Sequence, residues 1–429
     1  MISSDLTAIE ADLTEKSSAT FINTVPWRNR AWLTFPTQGS ERSVTRGDAA
    51  LKLVAQNASR CDAIVELSGF GQLLSHPVAA IEKEPNQRAS EKPADDSDSV
   101  LRNELFEVRI DRNSGGIKGV HFYGKRGNLL SQTIGYRQFD RRFGQASYGR
   151  MACDSFEVIR HSNIASATRA SGSIVAEDGK RLAGYVQQVS LQRGRNVIDI
   201  EITFSDIEAD ELSSENYFVN RMAWSDEAAE LFCDMQGSRH AIRKPEIEAP
   251  HFVEVVGEEN RFALLTYGLP WHRRCTKKTL DSILIAGQEQ QRSFRLGIAI
   301  DSDSILQTAI AEMHPRTSIS NTSGSEDSPT WMLHLANRNL IATSTQPIFD
   351  ADGRANGIQI CLQETEGQSG TLKLYACRNI ESATKLSLDG EHVRDITCRE
   401  ESSPQTSSFS VMETAFRSAE SFLVQLRWQ

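Results

Sequence analysis

Aromatic, imidazole and guanidinium side chains are densest in Leu269-Pro-Trp-His-Arg-Arg274. An aromatic face suits the apolar face of a pyranose ring, and planar donors suit hydroxyls, so Trp271, His272 and Arg273 have the chemistry of a sugar-contacting loop. Read singly, they describe a loop with Trp271 packed at a sheet edge and His272 and Arg273 solvated. Tyr148 stands in the turn-rich Phe143-Gly-Gln-Ala-Ser-Tyr-Gly149. With His272 it supplies the base candidates that a sugar epimerisation or lyase reaction would need beside an arginine. Arg221 and Trp224, in Asn220-Arg-Met-Ala-Trp224, are read as a structural pair with the cation stacked over the ring.

Other chemistry finds no signature. His-Glu-x-x-His and Gly-x-Ser-x-Gly are absent, and Gly69-Phe-Gly-Gln-Leu-Leu74 lacks the third glycine of a dinucleotide loop. Glycoside hydrolysis with retention needs two carboxylates about 5 Å apart. Glu364 and Glu366 would share a strand face, but like charges there read as solvation. No catalytic and no metal-binding residue is therefore assigned. The seven cysteines are scattered, odd in number and free of Cys-x-x-Cys, which reads as buried free thiols. A net charge of -10, with basic clusters no longer than Arg141-Arg142 and Arg273-Arg274, disfavours nucleic acid as a partner. No run approaches the roughly 20 apolar residues of a membrane span. The start Met-Ile-Ser-Ser-Asp lacks the basic and apolar parts of a secretory signal, so a cytoplasmic location is expected.

The elements that must position these residues are strands. Ile198, Ile200, Ile202 and Phe204 alternate with Asp199, Glu201 and Thr203, and with Tyr185 to Leu191 they predict a hairpin with one wet face. Leu105 to Ile110 and Ile117 to Tyr123, joined through Asp111 to Gly116, predict another. Phe294 to Ile300 and Phe422 to Trp428 alternate likewise. Helix is expected only at 4–14, with Leu6, Ile9 and Leu13 on one face, and from Asp303 to Met313. Polar stretches at 85–99 and 314–329 read as linkers. The expected fold is all-β: a short N-terminal helix (1–17), a small β-sandwich (18–84), a large supersandwich of the galactose-mutarotase kind (100–313) and a C-terminal β-sandwich (330–429).

Four segments, in order, resemble the C-terminal region of family 38 glycoside hydrolases, the α-mannosidases. They are Ala19 to Arg28 (ATFINTVPWR), Leu101 to Ile117 (LRNELFEVRIDRNSGGI), Asn260 to Gly268 (NRFALLTYG) with Leu280 to Ile285, and Gly357 to Gly367 (GIQICLQETEG). The resemblance runs from about residue 19 to the C-terminus. It implies that Tyr148 is similar in setting to a supersandwich tyrosine reaching the mannosidase active site, and that Arg261 resembles an arginine near it. The family's nucleophile, acid/base and zinc ligands lie in an N-terminal domain and helical bundle, and none of the nine histidines here opens the family's His-x-Asp ligand pair. The resemblance thus implies no cofactor in this chain, zinc being expected only in the catalytic domain, and a helix at 4–14 standing where the bundle would end. Carbohydrate is the expected partner, with a separate catalytic chain as a further one. A free-standing carbohydrate-binding protein and a mutarotase- or lyase-like enzyme are the alternatives.

Overall fold

The computed structural model describes residues 18–27, 29–36, 42–44, 51–56, 60–67, 72–77, 98–123, 127–161, 165–209, 212–314, 317–321, 332–403 and 406–428. The helix expected at 4–14 lies outside these residues. Strands dominate, and the one helix among the described residues is Ile305–Met313, its Ile305, Leu306 and Ala309 buried. No helix there is long and apolar enough to cross a membrane.

The described chain forms two compact units. One draws on Gln87–Met235 and His240–Ile305 and contains two large antiparallel sheets. In the first sheet the neighbours run Asp98–Arg102, Phe106–Asp111, Ile117–Phe122, Leu130–Asp140, Tyr217–Trp224, Thr279–Ile285, Trp271–Thr276 and Glu246–Glu248. In the second they run Ala165–Val175, Arg181–Gln192, Val197–Ser205, Ser293–Ile300, Arg261–Leu265, Phe252–Val256 and Glu230–Met235. The long strand Gln145–His161 belongs to both. Its beginning pairs with Leu130–Asp140, and from Arg150 onward it pairs with Ala165–Val175, with register shifts at Cys153/Ser155 and Val158/Arg160. Such bulges bend a strand and let it change sheets.

Alternation places the core between these sheets. Ile198, Ile200, Ile202, Leu296 and Ile298 from the second sheet join Ile134, Phe218, Leu280 and Leu284 from the first in one apolar cluster. A buried amide group joins the layers: Gln132 Nε2 donates to Gln187 Oε1 (3.0 Å) and Asn220 Oδ1 (2.8 Å), and Gln187 Nε2 donates to the Gly115 carbonyl (2.9 Å). A slipped register would strand these amides without partners, so they help select one stacking of the sheets.

Both predicted hairpins form, as Phe106–Asp111 with Ile117–Phe122 and as Arg181–Gln192 with Val197–Ser205. The first turn requires Gly115, at φ 70°, where a Cβ would lie 2.3 Å from the Ala170 Cβ. The second hairpin's outer face is drier than its alternation suggests, because Asp199 is buried against Arg195 (2.6 Å) and Arg295 (3.3 Å). Burial raises its carboxyl pKa, but the two guanidiniums outweigh that and hold it below the ordinary value.

The other unit draws on Met1–Asn86, Gln236–Arg239 and Leu306–Gln429. Its two C-terminal sheets hold five and four strands, with Phe422, Val424 and Leu426 buried as the alternation predicts. Two smaller sheets contain the strands between Ser18 and Pro77. In the quoted segment Ala19 to Arg28, Asn23 Nδ2 donates to the Trp27 carbonyl (2.8 Å), Trp27 is buried, and the Pro26 carbonyl accepts from the Leu335 amide (2.7 Å). The segment read as a linker at 314–329 contains the strand Thr317–Asn321, paired with Ser18–Ile22. Its Ser- and Thr-rich composition concealed a strand that forms by pairing with a distant partner. Of the six cysteines whose side chains are described, all free, only Cys233 is fully buried, so among these the expectation of buried thiols holds for it alone.

Candidate functional site

On the outer face of the first sheet, strand pairing builds a polar group around Asp281. Arg221 lies directly across from Asp281, and Arg273 flanks Asp281 on its other side. Arg221 binds the carboxylate with both ends of its fork (2.7 and 3.1 Å). Tyr148 Oη donates to Asp281 Oδ2 (3.1 Å), Cys275 Sγ donates to the same oxygen (3.0 Å), and the Arg221 guanidinium stacks 3.3 Å above the Tyr148 ring.

Burial first, and then the Asp281 charge, push the Tyr148 phenol and the Cys275 thiol pKa upward, so both keep their protons and serve as donors. Burial alone would weaken the Arg221 charge, and its bonds to Asp281 reverse that. Asp281, wholly inaccessible, therefore holds four donor contacts. A carboxylate so engaged and so enclosed is a fixed anchor, with no accessible oxygen to serve as a nucleophile or general base.

Trp271 and Arg273 point to this same outer face, since residues two apart in a strand share a side. Trp271 is 55% exposed. Arg273 is partly covered, reaches Glu246 only at 3.8 Å, and sits 5.7 Å from the Tyr217 ring centre.

Sequence reasoning named five candidate sugar contacts, and the structure distributes them over different faces and sheets. His272 points the other way, into the core, and is 2% exposed. Its Nδ1 lies 3.0 Å from Ser282 Oγ, and its Nε2 lies 3.2 and 3.0 Å from the Ala249 and Leu269 carbonyls. Carbonyls only accept, so Nε2 carries the hydrogen and Nδ1 accepts from the serine. Burial lowers the imidazole pKa to about 4 against the opposing pull of those carbonyls and Asp234. His272 is thus a neutral core histidine, and its reading as a sugar contact or as a base beside Tyr148 is corrected by the strand's two-residue period. Arg261 belongs to the second sheet, where its Nε donates to buried Glu254. Tyr148, Trp271 and Arg273 remain on the outer face.

Two smaller expectations are also corrected. Arg221 and Trp224, three apart in a strand, fall on opposite faces. Arg221 covers Tyr148, while buried Trp224 meets the edge of Phe262 at 6.1 Å. Glu364 is fully buried rather than solvated, accepting from the Asn339 amide (3.0 Å) and from the backbone of Glu366 (2.9 Å), Gly367 (2.8 Å) and Ala419 (2.8 Å). Burial raises its pKa and these bonds more than reverse the effect, leaving a turn-locking carboxylate. Sequence reasoning missed Asp281, Cys275, Tyr217 and Arg137. The available signal was Asp281 itself, a lone charge in the apolar run Leu280 to Ile285, which demands a partner.

The two-sheet supersandwich with accompanying smaller β-sheets defines a fold class shared with solved glycoside hydrolases. The chain is similar to an α-mannosidase from Enterococcus faecalis V583, with a TM-score of 0.66 and 10% identity, over 97% of this chain and 56% of that one. It is similar also to a protein in glycosyl hydrolase family 38 from Enterococcus faecalis, with a TM-score of 0.61 and 10% identity, over 98% of this chain and 59% of that one. The chain thus spans a little over half the length of these structures, and at this identity the likeness is one of fold. No family model matches the sequence, and no curated protein matches it.

Zinc is the metal that the resemblance implies for the catalytic domain. Among the described residues no three His, Cys, Asp or Glu side chains converge as a metal site requires. His251 and Asp234 (2.6 Å) meet as a pair only. These residues do not fit a zinc ion.

Proposed function

We propose that this chain is a carbohydrate-contacting β-region of an α-mannosidase-like glycoside hydrolase, with bond cleavage assigned to a catalytic domain of the family 38 type. The observation that carries this reading is the open Trp271 ring beside Arg273, on the face braced by Tyr148, Arg221 and Asp281. The indole offers a flat apolar surface for a pyranose, and Arg273 offers planar donors for hydroxyls. The saturated Asp281 group holds these strands rigid, which lowers the entropy lost when a sugar docks. The fold shared with the α-mannosidase supports the substrate class. The mutarotase- or lyase-like alternative loses one of its two base candidates, because His272 faces the core, while the other, Tyr148, keeps its proton as a donor to Asp281.

Hydrolysis of an aryl α-mannoside tests the division of labour. The purified chain is expected to be inactive with or without added zinc, and active when joined to a family 38 catalytic domain. Turnover by the chain alone would overturn the assignment of cleavage elsewhere.

A further inference from the structure

The strand Glu246–Glu248 shows the two-residue period at its shortest, with Ile247 buried and Glu246 and Glu248 exposed. It pairs antiparallel with Trp271–Thr276, in a register that sets Ile247 against His272, Glu246 against Arg273 and Glu248 against Trp271. The first of these pairs faces the core, where both residues are buried. The other two share the outer face. Directly opposed residues on one face have Cβ atoms about 5 Å apart, and residues two apart along a strand are separated by about 7 Å. Trp271, Arg273, Glu246 and Glu248 therefore occupy the four corners of one small rectangle on the outer face.

The two glutamates differ in what they face. Glu246 stands opposite a cation, with Arg273 at 3.8 Å. Glu248 stands opposite an indole, and among the described residues it makes no ion pair and no hydrogen bond. An indole gives a carboxylate no charge to pair with, so the Glu248 and Trp271 pairing adds little to the sheet itself. What it does is set an accessible acceptor beside an accessible aromatic surface, since Trp271 is 55% exposed and Glu248 is exposed as well. A pyranose resting on the indole would bring its rim hydroxyls over the Glu248 carboxylate, whose two oxygens can receive two neighbouring hydroxyl protons.

We propose that Glu248 is the specificity-determining acceptor of this face, its carboxylate receiving two neighbouring hydroxyls of a neutral pyranose stacked on Trp271. This deepens the carbohydrate reading and rests on it. An ionised carboxylate accepts and does not donate, so it selects sugars that present hydroxyl donors there. It also disfavours a sugar acid, whose like charge would lie beside Glu248 and Glu246.

Calorimetric titration of the full chain with methyl α-mannoside, its monodeoxy analogues and mannuronate tests it, beside Glu248→Gln, an exposed substitution that keeps the side chain's size and should fold normally. The unaltered chain is expected to bind methyl α-mannoside about tenfold or more tighter than at least one deoxy analogue and than mannuronate. Glu248→Gln is expected to weaken methyl α-mannoside by about tenfold and to shrink both differences to about threefold or less. Unchanged affinity in Glu248→Gln, with binding still lost in Trp271→Ala, would overturn the acceptor and leave the carbohydrate reading standing. A loss in Glu248→Gln that is equal for methyl α-mannoside and every deoxy analogue would overturn the hydroxyl contact, as would mannuronate binding as tightly as methyl α-mannoside. Failure of every sugar to bind the folded chain would overturn the reading beneath both.

Discussion

His272 shows how much one residue's direction decides. In Leu269 to Arg274 it stands between Trp271 and Arg273, and composition makes the three look alike. The strand Trp271–Thr276 sends its neighbours outward and His272 inward. Its burial has a pH consequence. With a folded pKa of about 4 against an ordinary value of 6.5, the unfolded chain binds the proton first as pH falls. The stabilisation is complete above about pH 6.5 and is lost between there and pH 4, at up to about 1.4 kcal/mol per pH unit. Urea unfolding across that window should show the slope, and His272→Gln should flatten it; an unchanged slope would mean that His272 does not titrate this way. At this scale the sequence disclosed residue types well and partners poorly. Tyr148 was legible as a site candidate, but its acceptor Asp281 stands 133 positions away, and only the fold brings them together.

Strands were the most legible elements, because a two-residue period in Val197–Ser205 or Ser293–Ile300 has little other meaning. What alternation could not disclose was Gln145–His161 passing from one sheet to the other, since a bulge interrupts the period that reveals a strand. Gly172 is placed where that strand bends. A Cβ there would lie 2.0 Å from the Ala152 carbonyl oxygen and 2.8 Å from the Cys153 Cα, both backbone atoms with little room to yield. Gly172→Ala is therefore expected to destabilise the unit by about 1–3 kcal/mol or more through overpacking. Chemical denaturation would check this, and a loss below about 0.5 kcal/mol would show that the bulge relaxes freely. The Thr317–Asn321 strand was illegible for a different reason: its partner lies almost 300 positions earlier.

For the whole molecule, all-β architecture was legible from periodicity, and a likeness in fold to the α-mannosidase was expected from four ordered segments, although identity to the similar solved structures is only 10%. Hydrophobic pattern and turn chemistry are legible in a single sequence because they are what the sheets require. Of the five proposed sugar contacts, the structure keeps Tyr148, Trp271 and Arg273 on one face and has Arg261 in the second sheet and His272 in the core. On the function proposed above, this face meets carbohydrate. Isothermal titration of the purified chain with methyl α-mannoside, α-mannobiose and mannuronate, beside Trp271→Ala, tests it most directly. Binding of at least one of these ligands, weakened about tenfold or more by the loss of the indole, is the predicted result. No heat from any of them with the folded protein, or binding that Trp271→Ala leaves unchanged, would contradict it.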